Sequence, residues 1–245
     1  MNHVPNFSRQ SFARTNSQTI AQRVKILREL LPTAHAIGEL CCGDCAAQFE
    51  MYRAALGELT FCGLEVSPEI VALNRSHNIP CAQGDVMDAN ALRPFLACDV
   101  LFFGPPLSVE CDGHRLLAFR DVTPSFANFA SLLWHDLNYR GTCIFICPNT
   151  TTLGDARRLH EQIKLWRSDV GLRLLHYTHA TQTGTGESHE LRLKYVELWF
   201  SSLLPDEWEM RHTYPETEIS NNQSEIERND QTHNPAHVPC RRDQP

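Results

Sequence analysis

The sequence predicts an α/β sandwich, with a mostly parallel sheet of seven strands, helices on both faces and an antiparallel addition at one edge. Three observations predict it. Short apolar runs alternate with amphipathic stretches from residue 17 to residue 204. The connections between them are short, which favours parallel strands joined by helical crossovers. The last two apolar runs follow one another with no helix between, as an antiparallel pair does. Residues 19–31 carry Ile20, Val24, Leu27, Leu30 and Leu31 at helical spacing, and Pro32 stops the helix. A strand at 36–40 leads through Gly43-Asp44 into a helical run ending near residue 56. A second strand spans 59–66, and Ser67-Pro68-Glu69 opens a helix with a capping serine and a first-turn proline. A third short strand at 79–83 precedes a helix near 88–96, and Asp99-Val-Leu-Phe-Phe103 is a fourth strand. Thr123-Pro124 is predicted to cap a helix running to about residue 138. A strand at 141–147 and a helix at 155–170 follow. The closing strands, 174–181 and 193–201, are joined by a loop with Gly184 and Gly186.

Composition narrows the function classes. The chain has 245 residues, 42% hydrophobic and 21% charged, which excludes a wholly disordered, collagen-like or mucin-like protein. A formal charge of −7 excludes a histone-like nucleic-acid binder. No apolar run approaches the roughly 20 residues of a membrane span, so no membrane partner is expected. Residues 1–17 lack the apolar core of an export signal; they have the Arg and Ser of a transit peptide but are short and broken by Pro5. The ten cysteines are therefore expected as reduced thiols in the cytoplasm. Cys62, Cys81, Cys98, Cys143 and Cys147 lie in apolar runs and read as small core hydrophobes. Residues 205–245 carry nine acids against four arginines and few aliphatics, so a disordered acidic tail is expected there. Residues 1–16 read as a flexible basic arm and 17–204 as the folded domain.

In parallel sheets, ligands bind beyond the carboxyl ends of the strands, near the point where strand order reverses. The first strand ends in Glu39-Leu40-Cys41-Cys42-Gly43-Asp44-Cys45, the second in Glu65-Val66, the third in Gly84-Asp85-Val86 and the fourth in Gly104-Pro105-Pro106-Leu107. Three strands thus end in a carboxylate. Glu65 lies 22 residues past Gly43, near the spacing of an acid that grips ribose hydroxyls.

This ordered set resembles the class I S-adenosylmethionine-dependent methyltransferases, whose fold is a Rossmann-like three-layer sandwich. The resemblance implies S-adenosyl-L-methionine as cofactor and spans the whole folded domain. The family's first motif is an acid followed by alternating small residues, here Glu39, Cys41, Gly43 and Cys45, with cysteine at two glycine positions. The resemblance implies that Glu39 faces the methionine amine and that the loop from Cys41 to Asp44 packs along the cofactor. It further implies that Glu65 and Val66 hold the ribose end, and that Asp85 with Val86 holds the adenine edge. Gly104-Pro105-Pro106-Leu107 matches the position of the Asn/Asp-Pro-Pro-Tyr/Phe motif of amine-methylating members, without its side-chain acceptor or its aromatic. The two prolines still fix successive φ angles and aim the turn. Methylation of a nitrogen or oxygen nucleophile is expected, but not of adenine.

The polar stretch 108–121 follows the fourth strand and contains Asp112, His114 and Arg115. His114 is a candidate proton acceptor, and Asp112 and Arg115 are candidate acceptor-binding residues, Arg115 as a clamp for carboxylate or phosphate. Bland roles compete: Asp44 as a helix cap, Asp112-Gly113 as an exposed turn, Gly-Pro-Pro-Leu as a plain strand-ending turn. Two other functions stay open. One is a cofactor-binding partner subunit without catalysis. The other is a redox protein using Cys42 and Cys45, a C-x-x-C at a strand-to-helix junction. No metal site is expected, because no second C-x-x-C completes a ligand set. The methyl acceptor stays open among a small molecule, RNA and protein.

Overall fold

The computed structural model describes residues 17–109, 115–182, 189–205 and 209–213, with side chains placed for 20–107, 117–176 and 195–205. The chain order is α1 (Ser17–Leu30), β1 (Ala36–Leu40), α2 (Ala46–Leu56), β2 (Thr60–Glu65), α3 (Pro68–Ser76), β3 (Cys81–Gln83), α4 (Ala89–Leu92) and β4 (Val100–Phe103). It continues with β5 (Ser108–Val109), β6 (Arg115–Leu116), α5 (Phe126–Ala130), β7 (Thr142–Pro148), α6 (Leu153–Lys164), β8 (Gly171–Gln182), β9 (His189–Ser201) and β10 (Glu209–Thr213).

Eight strands form one sheet in the order β10-β8-β9-β7-β4-β1-β2-β3, and β5 pairs separately with β6. Within the sheet β9 alone runs against its neighbours, β7 and β8. Seven of these strands make the mixed, mostly parallel sheet that the sequence predicts. Strand order reverses between β1 and β4, the position at whose carboxyl ends open α/β sheets bind their ligands.

Both faces are covered, which gives the Rossmann-like three-layer sandwich. Successive strand residues point to opposite faces. Val100 and Phe102 of β4 therefore pack against Ile20, Val24 and Leu27 of α1 and Tyr52 of α2. Leu101 and Phe103 pack against Phe126 and Phe129 of α5 and Leu159 of α6. A strand buried on both faces reads as an unbroken apolar run, as Val100-Leu-Phe-Phe103 does.

Two helix boundaries differ from expectation. The cap before α5 is Ser125 rather than Thr123, its Oγ accepting from Asn128 N at 3.2 Å. The helix then widens into a π-type segment at Ser131–Asp136. α6 begins earlier, because Thr152 and Asp155 form a capping box, and it stops at Lys164 rather than near residue 170. The expected disordered tail is corrected at Glu209–Thr213, which pairs in parallel with β8 from Arg173 to Tyr177. Main-chain bonding to an open sheet edge asks for little of the apolar area that this segment lacks. Residues 1–16 and 214–245 lie outside the described residues.

Eight cysteines are described, all as free thiols. Cys81, Cys98, Cys143 and Cys147 are buried as expected, while Cys62 is half-buried. No described helix is long and apolar enough to cross a membrane.

Candidate functional site

β1 delivers the first segment. Its pairing with β2 runs two residues past the strand, since Cys42 N donates to Leu64 O at 3.1 Å. The chain then turns with left-handed φ at Cys41 (57°) and Gly43 (54°). A side chain in that region costs about 1–2 kcal/mol, so the loop keeps a glycine-type path at Cys41 although it has lost the glycine.

The turn is held from two sides. Gly43 N donates to Glu65 Oε2 at 3.0 Å, joining the loop to the end of β2. Glu65 Oε1 accepts from Val66 N and Ser67 N at 2.9 and 3.1 Å. A carboxylate offers about four lone-pair positions, so Oε2 keeps one for a further donor. On the other side stands Asn74 of α3, fully buried. Its Nδ2 donates to Gly43 O at 2.8 Å and its Oδ1 accepts from Cys45 N at 3.3 Å. Asn74 is absent from the sequence-derived candidates. The readable signal is its place three residues after Val71, on the buried face of α3.

Cys41 is half-buried, and its thiol is pushed up by burial, then by the charges of Glu65 and Asp85. The ends of β1, β2 and β3 therefore meet. Asp85 is exposed, and its Oδ1 accepts from Met87 N at 2.8 Å. The side chain of Val86 turns into the core. Val66 is 60% exposed beside Glu65, an apolar surface at the mouth of the site. Asp44 is half-buried, with Oδ1 3.5 Å from Ala46 N, but the cap of α2 is Cys45, which makes no side-chain capping bond, so the capping reading of Asp44 is corrected.

Glu39 sits deeper, 3% exposed, with no hydrogen-bond partner for Oε1 among the described residues. Burial pushes its carboxyl up to about 7; Arg23 opposes this shift and Glu197 adds to it. Arg23 lies on the buried face of α1, its Nε 2.5 Å from Glu197 Oε1 and its guanidinium 5.1 Å from the Phe102 ring centroid. Trp199 Nε1 donates to Glu197 Oε2 at 2.9 Å. Sequence reading missed this network, although Arg23 stands at core spacing between Ile20 and Leu27.

The fourth strand end joins the first, as Gly104 N donates to Leu40 O at 3.2 Å. A Cβ at Gly104 would stand 3.2 Å from Ile146 Cδ1, so this narrow position suits glycine. Pro105 is buried, Pro106 exposed and Leu107 half-buried. Phe103, stacked on Phe129 with ring centroids 3.9 Å apart, anchors the turn from below. Beyond it, β5 and β6 form a two-stranded ribbon. His114 and Asp112 lie outside the described residues, and Arg115 is described only through its backbone in β6. Among the described residues no group of three His, Cys, Asp or Glu side chains is placed to hold a metal ion.

No family model matches the chain, and no curated protein matches it. Solved structures do. The precorrin-6y C5,15-methyltransferase of Geobacter metallireducens is similar at 13% identity and a TM-score of 0.52, over 77% of this chain and 90% of that one. The methyltransferase domain of the bacterial protein CtHen1-CN is similar at 13% identity and a TM-score of 0.52, over 76% and 98%. The plantazolicin methyltransferase BpumL, solved in complex with SAH, is similar at 12% identity and a TM-score of 0.50, over 75% and 82%. At these identities the likeness is one of fold, and the chain shares the fold of these methyltransferases.

Proposed function

We propose that the chain binds S-adenosyl-L-methionine at the carboxyl ends of β1, β2 and β3 and transfers its methyl group to a nitrogen or oxygen nucleophile. The observation that carries the reading is the Gly43–Glu65 contact, which joins the loop to an acid keeping one acceptor position. The residues present fit the group. Glu39 offers a buried oxygen without a partner among the described residues, which suits a cationic amine. Glu65 offers the remaining lone pair to a ribose hydroxyl, and Val66 an apolar surface to a base. When bound, the cofactor supplies an electrophilic methyl group on a sulfonium centre. Gly104-Pro105-Pro106-Leu107 then serves as a rigid wall that aligns the nucleophile, the effect on which methyl transfer chiefly depends. His114 is proposed as proton acceptor, and Asp112 and Arg115 as acceptor-binding residues. The acceptor is proposed as a small molecule, RNA or protein, and free thiols at the described cysteines suit a cytoplasmic setting.

Calorimetric titration with S-adenosylhomocysteine tests the cofactor. Folded protein that binds no ligand overturns the reading. Glu65→Ala is expected to weaken binding by about 1–3 kcal/mol, since a charged acceptor is lost; unchanged affinity removes Glu65 from the site. Transfer of labelled methyl groups to fractionated extract, with and without nuclease, identifies the acceptor class. Gly104 carries no side-chain acceptor at the catalytic turn, which favours a second reading as a non-catalytic cofactor-binding subunit. Binding without transfer to any fraction would select it.

A further inference from the structure

The thiols behind the loop are placed for chemistry that methyl transfer does not use. Cys42 Sγ lies 3.8 Å from Cys81 Sγ, and Asn74 Nδ2 faces both sulfurs at 3.6 and 3.8 Å. Gly63 makes the room: a Cβ there would fall 2.8 Å from Cys42 Sγ and 3.3 Å from Cys81 Sγ. Gly63 stands opposite Cys81 in the β2–β3 ladder, so the two sulfurs share the space above the one β2 residue that has no side chain on that face.

The geometry points to a redox modification site, in which two-electron oxidation by a peroxide links Cys42 to Cys81 and thereby weakens the grip of the loop on the cofactor. The second half of this inference rests on the cofactor reading above; the disulfide does not. The Cys81 thiolate attacks the peroxide, breaking its O–O bond to form a sulfenic acid and releasing an alcohol or water. The Cys42 sulfur then attacks the sulfenic sulfur. The S–S bond forms, the S–O bond breaks, and the departing hydroxide takes the Cys42 proton as water. Two thiols are oxidised by two electrons, and one peroxide is reduced.

The surroundings favour Cys81 over Cys45 as the partner of Cys42. The hydrogen bond from Cys42 outweighs burial and, with Asn74, brings the Cys81 thiol below its ordinary value, which favours its thiolate form. Cys42, hemmed in by Cys45 and Cys81, is pushed up and keeps its proton. Cys42 and Cys81 are 8% and 6% exposed, whereas Cys45 is fully enclosed. Closing a bond of about 2.0 Å from 3.8 Å draws the sulfurs together by about 1.8 Å. That movement pulls on Gly43, whose N–H and C=O are committed to Glu65 and Asn74. A second pair, Cys62 and Cys98 at 3.6 Å, involves no residue of the loop and serves as a control.

The test treats the reduced full chain with hydrogen peroxide, alkylates the remaining thiols and maps peptides by mass spectrometry. A Cys42–Cys81 cross-link that dithiothreitol reverses is expected. Both thiols staying alkylatable, or Cys42 linking to Cys45 instead, would overturn the inference. Affinity for S-adenosylhomocysteine is expected to fall about tenfold on oxidation and to recover on reduction. Cys81→Ser, or Cys81→Ala if the serine variant folds poorly, should bind equally well before and after peroxide, while Cys62→Ser should still respond. A complete Cys42–Cys81 bridge with unchanged affinity would sink the regulatory half. Reduced protein that binds no S-adenosylhomocysteine would instead fail the cofactor reading, and the peptide map would still decide the disulfide.

Discussion

Removing the Asn74 side chain leaves Gly43 O and Cys45 N without their partners in a closed setting. Each buried group left unsatisfied costs about 1–3 kcal/mol. Asn74→Ala is therefore expected to lower stability by roughly 2–6 kcal/mol in urea unfolding, and to weaken S-adenosylhomocysteine binding because the loop is no longer pinned. Full stability in the variant would show that the two bonds contribute nothing. Glu39, Glu65, Gly43 and Asp85 were legible because acids and glycines at strand ends form a pattern along the chain. Asn74 and Arg23 carry no such pattern, since each is a polar residue on an apolar helix face, where the usual expectation is a core hydrophobe. Their spacing from Val71 and Ile20 was nonetheless visible. A polar residue at core spacing announces a buried partner, although the identity of that partner depends on tertiary packing.

Helix α1 shows the cost of such a partner. Arg23 is fully buried against Glu197 of β9, 174 residues away. Breaking a buried pair from one side leaves an uncompensated charge, at about 3–5 kcal/mol. Arg23→Met is expected to destabilise by that amount. The double variant Arg23→Met with Glu197→Leu should recover most of it in a thermal or urea melt. A double variant no better than the single would mean that the ion pair is not the source of the cost. At this scale strand β1 matched its expected bounds, because apolar periodicity is a local property. The start of α5 did not, since Thr123, Pro124 and Ser125 all suit a helix start, and tertiary packing selects Ser125. β10 was hidden for a different reason. An edge strand is held through its backbone and needs no distinctive side chains.

For the molecule as a whole, Glu39 sets a pH dependence. Its carboxyl is raised from 4.5 to about 7, chiefly by burial, so the folded state favours the proton more than the unfolded state does. The stability this brings is complete below about pH 4.5 and is lost as pH rises through 7. Glu39→Gln should be less sensitive across that window, the two proteins diverging by on the order of 3 kcal/mol in melts followed from pH 4.5 to 8. Parallel curves would place Glu39 in a wetter setting than its burial implies. The glycines of the strands carry a further meaning. Gly63 makes room for the Cys42 and Cys81 sulfurs, directly beneath the loop. Space that a glycine-rich loop would save within itself is recovered one layer down, in the sheet on which the loop rests. Counting glycines along the loop alone therefore underrates how closely this loop can pack on the strand beneath it.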